Sequence, residues 1–193
     1  MGAMRSFFVG SGIGLRPFFM FQESFMNPKI RQLAHGAIIA ALYVVLTHMQ
    51  NLLLPNSTSF AIQFRVSEAL CVLAFFTPSA IWGLGLGCLL YNLSSAGALP
   101  LDFLVGSWAS GLAAWAMWRS RNLTVKGYPL FGMLMPALLN ALLVGWELTY
   151  YIGGGFWLNA LYVAIGEAAV LLSLGTALYY AMKQRHLDKR LFG

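Results

Sequence analysis

Five ionisable side chains stand in apolar stretches, where charge is costly: Arg65, Glu68, Asp102, Glu147 and Glu167. A carboxylate so placed must face a cavity, a partner or a ligand. Asn140, Glu147 and Tyr151 are seven and four residues apart, and Asn159, Val163 and Glu167 step by four, so each set forms one stripe on a helix. Arg65 and Glu68 are three apart and share a face, close enough to pair. Four acids against one arginine make a poor sealed interior. They suit a cationic ligand, or one rich in hydrogen-bond donors. A carboxylate matches two adjacent N–H groups such as those on a guanine-like edge. Trp108, Trp146, Tyr150 and Trp157 supply rings on which a flat heterocycle would stack. Blander readings stand beside this one. The polar groups would only glue helices together, Arg65 and Glu68 would form a structural ion pair, and Asp102 would simply sit at a helix N-terminus, where negative charge is favoured.

The same residues make no catalytic set. The chain has no Gly-Lys-Ser/Thr phosphate loop, no HExxH, no nucleophile elbow and no paired His/Asp metal cluster. An enzyme is therefore not expected, and neither a cofactor nor a metal is called for. Cys71 and Cys88, 17 residues apart without a CxxC, read as small buried hydrophobes. His35 and His48 read as satisfied or interfacial histidines.

The elements that must position these groups follow from composition. The 193 residues are 59% hydrophobic and 9% charged, and the mean hydropathy is +0.71. A soluble domain carries about 25% charged residues, so this chain lacks the charge to cover a water-facing surface. An all-α integral membrane bundle is expected, with a leader at 1–25 and a six-helix transmembrane substrate-binding domain at 26–193. The leader is rich in Phe and Gly, and its apolar patches are too short to span. It reads as an interfacial or disordered segment, or as an over-extended start. The spans are expected at 33–54, 61–76, 79–93, 102–118, 130–151 and 156–182. Pro55, Thr77-Pro78, Pro100, Pro129 and the Gly153-Gly154-Gly155 run separate them. In the first span, Gly36 with Ala40 and Ala37 with Ala41 form small-residue pairs that allow close helix approach. Ordinary packing within the chain is the alternative for that face.

Orientation comes from the basic residues. With both termini cytoplasmic, eleven of the 12 Lys and Arg fall on the inner side, and only Arg65 does not. Arg65, Glu68 and Asp102 then lie near the outer ends of their spans. Glu147 lies about 6 Å below the outer interface at 1.5 Å per residue, and Glu167 lies deeper.

The run Ile62-Gln63-Phe64-Arg65-Val66-Ser67-Glu68-Ala69-Leu70, together with Gly145-Trp146-Glu147-Leu148 and Ala164-Ile165-Gly166-Glu167-Ala168, resembles the QueT-type queuosine-precursor transporter family. The resemblance covers about 26–183. These proteins are substrate-binding S components of energy-coupling factor (ECF) transporters, a type of ABC importer used in vitamin uptake. It implies a six-helix bundle in a prokaryotic cell membrane, with its ligand site towards the extracellular side. The implied ligand is a queuine-like deazapurine base whose side-chain amine is cationic. The implied partners are a transmembrane coupling protein and two ATP-binding subunits. On that reading Glu147, Glu167, Glu68, Arg65, Asn140, Asp102, Trp146 and Asn159 are the substrate-binding candidates, and Gly36, Ala37, Ala40 and Ala41 would meet the coupling protein. The alternatives are an S component for a different vitamin, or a stand-alone secondary transporter or channel for a small cationic solute. In the latter, Glu147 and Glu167 would form a proton relay.

Overall fold

The computed structural model describes residues 27–55, 57, 64–95 and 99–192. The leader expected at 1–25 and the start of the second expected span lie outside them. Two units divide at Gln32 and Leu33. The described part of the first is one helical turn, opened by Asn27, whose Oδ1 accepts the Lys29 N–H at 3.0 Å. The second unit holds everything that follows.

The described residues are helical, and no strand forms among them. Helix α1 spans Pro28–Leu53 and is followed by a 3-10 helix at Val66–Phe75. Helices α2 (Ser79–Ser94), α3 (Asp102–Ser120) and α4 (Leu130–Ile152) come next. The last long stretch is α5 (Phe156–Val170), a π-turn at Leu171–Gly175, and α6 (Thr176–Gln184); a short α7 (Leu187–Phe192) follows. Among the described residues, three stretches are long and apolar enough to cross a membrane: Pro28–Leu53, Leu130–Ile152 and Phe156–Gln184.

The turns obey local chemistry. At Lys126 and Gly127 both φ angles are positive (51° and 80°), and the chain reverses between the paired residues Val125 and Tyr128. Gly153 and Gly154 both have φ near 81°, a region that costs an L side chain strain and glycine nothing. That is why the long hydrophobic run breaks there.

The second expected span departs most from expectation. Its described part is ten residues of 3-10 helix rather than a transmembrane α-helix. At about 2.0 Å per residue it reaches about 20 Å, short of a hydrocarbon core of about 30 Å. Nine of its residues are buried. It therefore works as an internal prop, packed against α2, α3 and the π-turn. Tyr43, Leu84, Met117, Met133 and Leu171 are the large side chains wholly enclosed with it.

Close helix approaches hold the rest. A Cβ on Gly83 would lie 2.7 Å from the Gly36 carbonyl oxygen, and one on Gly87 would lie 3.0 Å from that of Ala40. Gly36 and Ala40 thus belong to the α1–α2 seam and are buried. Ala37 and Ala41 stay exposed, beside Ile38, Leu42 and Val45. Of the four small residues expected to face a coupling protein, Gly36 and Ala40 are covered by α2 instead. Gly145 likewise lets α4 approach α5, since a Cβ there would meet Ala160 Cα at 2.8 Å.

Candidate functional site

The α4–α5 seam carries the first half of the site. Its close approach brings Asn140 and Glu167 together, with Asn140 Nδ2 donating to Glu167 Oε1 at 2.9 Å. Asn140 Oδ1 and Glu167 Oε2 remain buried without a hydrogen bond. Two turns further along α4, Glu147 is fully buried beside the Asp102 carboxyl, and no N–H or O–H donor reaches either of its carboxylate oxygens.

The 3-10 helix supplies the other half. In such a helix residues i and i+3 eclipse, so Glu68 and Cys71 line up. Arg65 caps it in an extended conformation (φ −108°, ψ 108°), and its side chain is buried with Nε unpartnered. Glu68 does not depend on Arg65 for satisfaction. Tyr43 Oη donates to Glu68 Oε1 at 2.7 Å, and Cys71 Sγ donates to Oε2 at 3.2 Å. Glu68 is thus a hydrogen-bonded carboxylate within the electrostatic reach of Arg65, whose Nε has no hydrogen-bond partner.

Arg65 stands in the electrostatic reach of Glu68 and Asp102. Glu147 feels Asp102 and Arg65, and Glu167 feels Glu68 and Arg65. The acids thus act on one another in two pairs, Glu68 with Glu167 and Asp102 with Glu147, and Arg65 acts on both Glu147 and Glu167. Asp102 has a structural duty as well. In the first turn of α3, its Oδ2 accepts the Leu99 N–H at 2.6 Å, and its carbonyl accepts from Asn92 Nδ2 at 2.8 Å.

Two expected contacts are not brought to this cluster. Asn159 gives its amide protons to Thr149 Oγ1 (2.9 Å) and the Gly153 carbonyl (3.0 Å), so it closes the α4–α5 turn. Trp146 is 54% exposed and stacks on Tyr150, with interplanar angle 19°. Its neighbour Glu147 points inward, and one residue turns a helical side chain about 100°, so Trp146 faces outward. Trp108, Tyr150 and Trp157 are exposed too. None of these rings has a described contact with the acids. An apolar groove of about 600 Å³ between α2 and α3, lined by Trp82, Trp108 and Trp115, also contains none of the acids.

Sequence reasoning missed Tyr43, Thr47 and Gln50. They lie four and three residues apart on α1 and are all buried. A polar stripe at helical spacing on an otherwise apolar helix is the signal that would have found them.

The sequence matches the QueT transporter family over residues 33–184. The chain belongs to that family. No curated protein and no solved structure gives a match. The QueT span contains every member of the acid cluster. Family membership and the three long apolar helices identify a membrane transporter.

Proposed function

We propose that this QueT-family chain is the substrate-binding S component of an ECF-type ABC importer in a prokaryotic plasma membrane. Its ligand is a queuosine precursor, a deazapurine base bearing a cationic amine. The observation that carries this reading is the enclosed cluster itself. Five buried polar atoms lack partners: Arg65 Nε, Asn140 Oδ1, Glu147 Oε1 and Oε2, and Glu167 Oε2. An unpaired buried polar group costs about 1–3 kcal/mol, and a charged one more. A ligand that donates hydrogen bonds and carries positive charge offsets that cost.

In this reading the chain crosses the membrane six times with both termini cytoplasmic. The second crossing contains the 3-10 helix. A coupling protein docks on the exposed Ala37–Ala41 side of α1, and two ATP-binding subunits hydrolyse ATP. The test is calorimetry with queuine on the purified chain, followed by Glu147→Gln. That substitution keeps the volume and removes the charge. Losing a charge-assisted hydrogen bond of about 1.5–3 kcal/mol weakens binding roughly 10- to 150-fold. Parent-like binding by a folded Glu147→Gln variant sinks the acid-lined site.

A further inference from the structure

We infer that Gln50 is a positioning residue for Arg65: a buried side-chain amide that fixes the backbone on both sides of the arginine and so sets ligand affinity without touching the ligand. Gln50 is 6% exposed. Its Oε1 accepts the Val66 N–H at 2.7 Å. Its Nε2 donates to the Phe64 carbonyl and, at 2.9 Å, to Ser57 Oγ. Phe64 and Val66 flank Arg65, so one side chain clamps the peptide groups before and after it. The chain is pinched at the same place, because the Phe64 N–H donates to the Ser57 carbonyl at 3.1 Å.

The clamp is the top rung of a ladder. Tyr43, Thr47 and Gln50 share a face of α1 and meet the 64–68 segment in order. Gln50 takes Phe64 and Val66, Thr47 Oγ1 lies 2.7 Å from Ser67 Oγ, and Tyr43 takes Glu68. The rungs set the register of the segment against α1. The N-terminus of the 3-10 helix has no side-chain cap of its own, so the Val66 N–H would be an orphan without Gln50. Arg65 is extended, and its buried guanidinium goes wherever its two flanking peptides aim it. Gln50 decides that aim.

The affinity consequence rests on the ligand reading above, and the experiment separates the two. Gln50→Met keeps the length and removes all three hydrogen bonds, whereas Gln50→Glu keeps the acceptor and removes the amide donors. Hydrogen exchange on the purified chain, without ligand, should show faster exchange in peptides covering 64–68 for Gln50→Met. Unchanged exchange refutes the clamp. Queuine titration should then show binding weakened roughly tenfold in Gln50→Met, with Gln50→Glu intermediate. In an Arg65→Met background, Gln50→Met should add no further loss, because its only route to the ligand is through Arg65. An equal loss in both backgrounds overturns the positioning role and leaves a general packing effect. Should the parent fail to bind queuine, the ligand reading falls, and the exchange result still decides the clamp.

Discussion

Each acid in the cluster has a different claim on a ligand. Glu68 is already served by Tyr43 and Cys71, so Glu68→Gln should change affinity least. Glu167 has one oxygen on Asn140 and one without a partner. Glu167→Gln should weaken queuine binding, though less than Glu147→Gln, which alters a carboxylate that no donor reaches at either oxygen. The order of the three dissociation constants checks this assignment. Tyr43→Phe probes the support instead. It removes one donor from a buried carboxylate, and should destabilise the fold by about 1–3 kcal/mol. A lower melting temperature in detergent would show it, and an unchanged one would mean that the Tyr43–Glu68 bond contributes little.

At the scale of elements, close approach explains what each face of α1 can do. Gly36 and Ala40 are used up against Gly83 and Gly87. Gly83→Val places branched carbons against backbone and should cost the stability of an overpacked core, about 1–3 kcal/mol or more. Ala37 and Ala41 lie on the open side of the same helix. Ala37→Trp and Ala41→Trp should therefore fold and bind queuine like the parent, yet abolish ATP-dependent uptake in cells holding the coupling subunits. Loss of binding as well would show that this side, too, packs within the chain. The 3-10 helix and the π-turn face each other: a Cβ on Gly175 would lie 3.2 Å from Val72. The tighter element thus packs on the looser one, beside the acids.

For the whole molecule, the distribution of rings and cations frames the proposed orientation. Trp146, Tyr150 and Trp157 are exposed around the Gly153-Gly154-Gly155 turn, as rings are at a membrane–water interface. At the other end, the Arg121 guanidinium lies 3.6 Å from the Trp118 ring centroid, and Lys183 lies 4.9 Å from that of Tyr179. A cysteine at Gly154 should react with an impermeant thiol reagent in intact cells, whereas one at Asn122 should not. Both positions are exposed, so burial cannot explain a difference. The reverse labelling pattern would invert the chain and put the acid cluster on the inner side. Co-purification with ATP-binding subunits distinguishes an S component from a stand-alone carrier, for which uptake would proceed without them.

Hydropathy and breaker residues alone determined that this chain is a helical membrane protein, because apolar length and Pro or Gly punctuation are local properties. Helical spacing also placed Asn140, Glu147 and Glu167 on inward faces, and all three are buried. The fate of Trp146 and Asn159 was not legible. A ring next to a buried acid looks available until the helix turns it outward, and an amide near a turn looks free until the turn takes its protons. The small-residue face of α1 split for a similar reason, since which half is internal depends on where Gly83 and Gly87 come to lie. Only the tertiary structure showed the 3-10 form of residues 66–75 and the Gln50, Thr47 and Tyr43 ladder that holds them. Those bonds join residues 14 to 25 positions apart, a pairing set by packing between elements, to which local periodicity is blind.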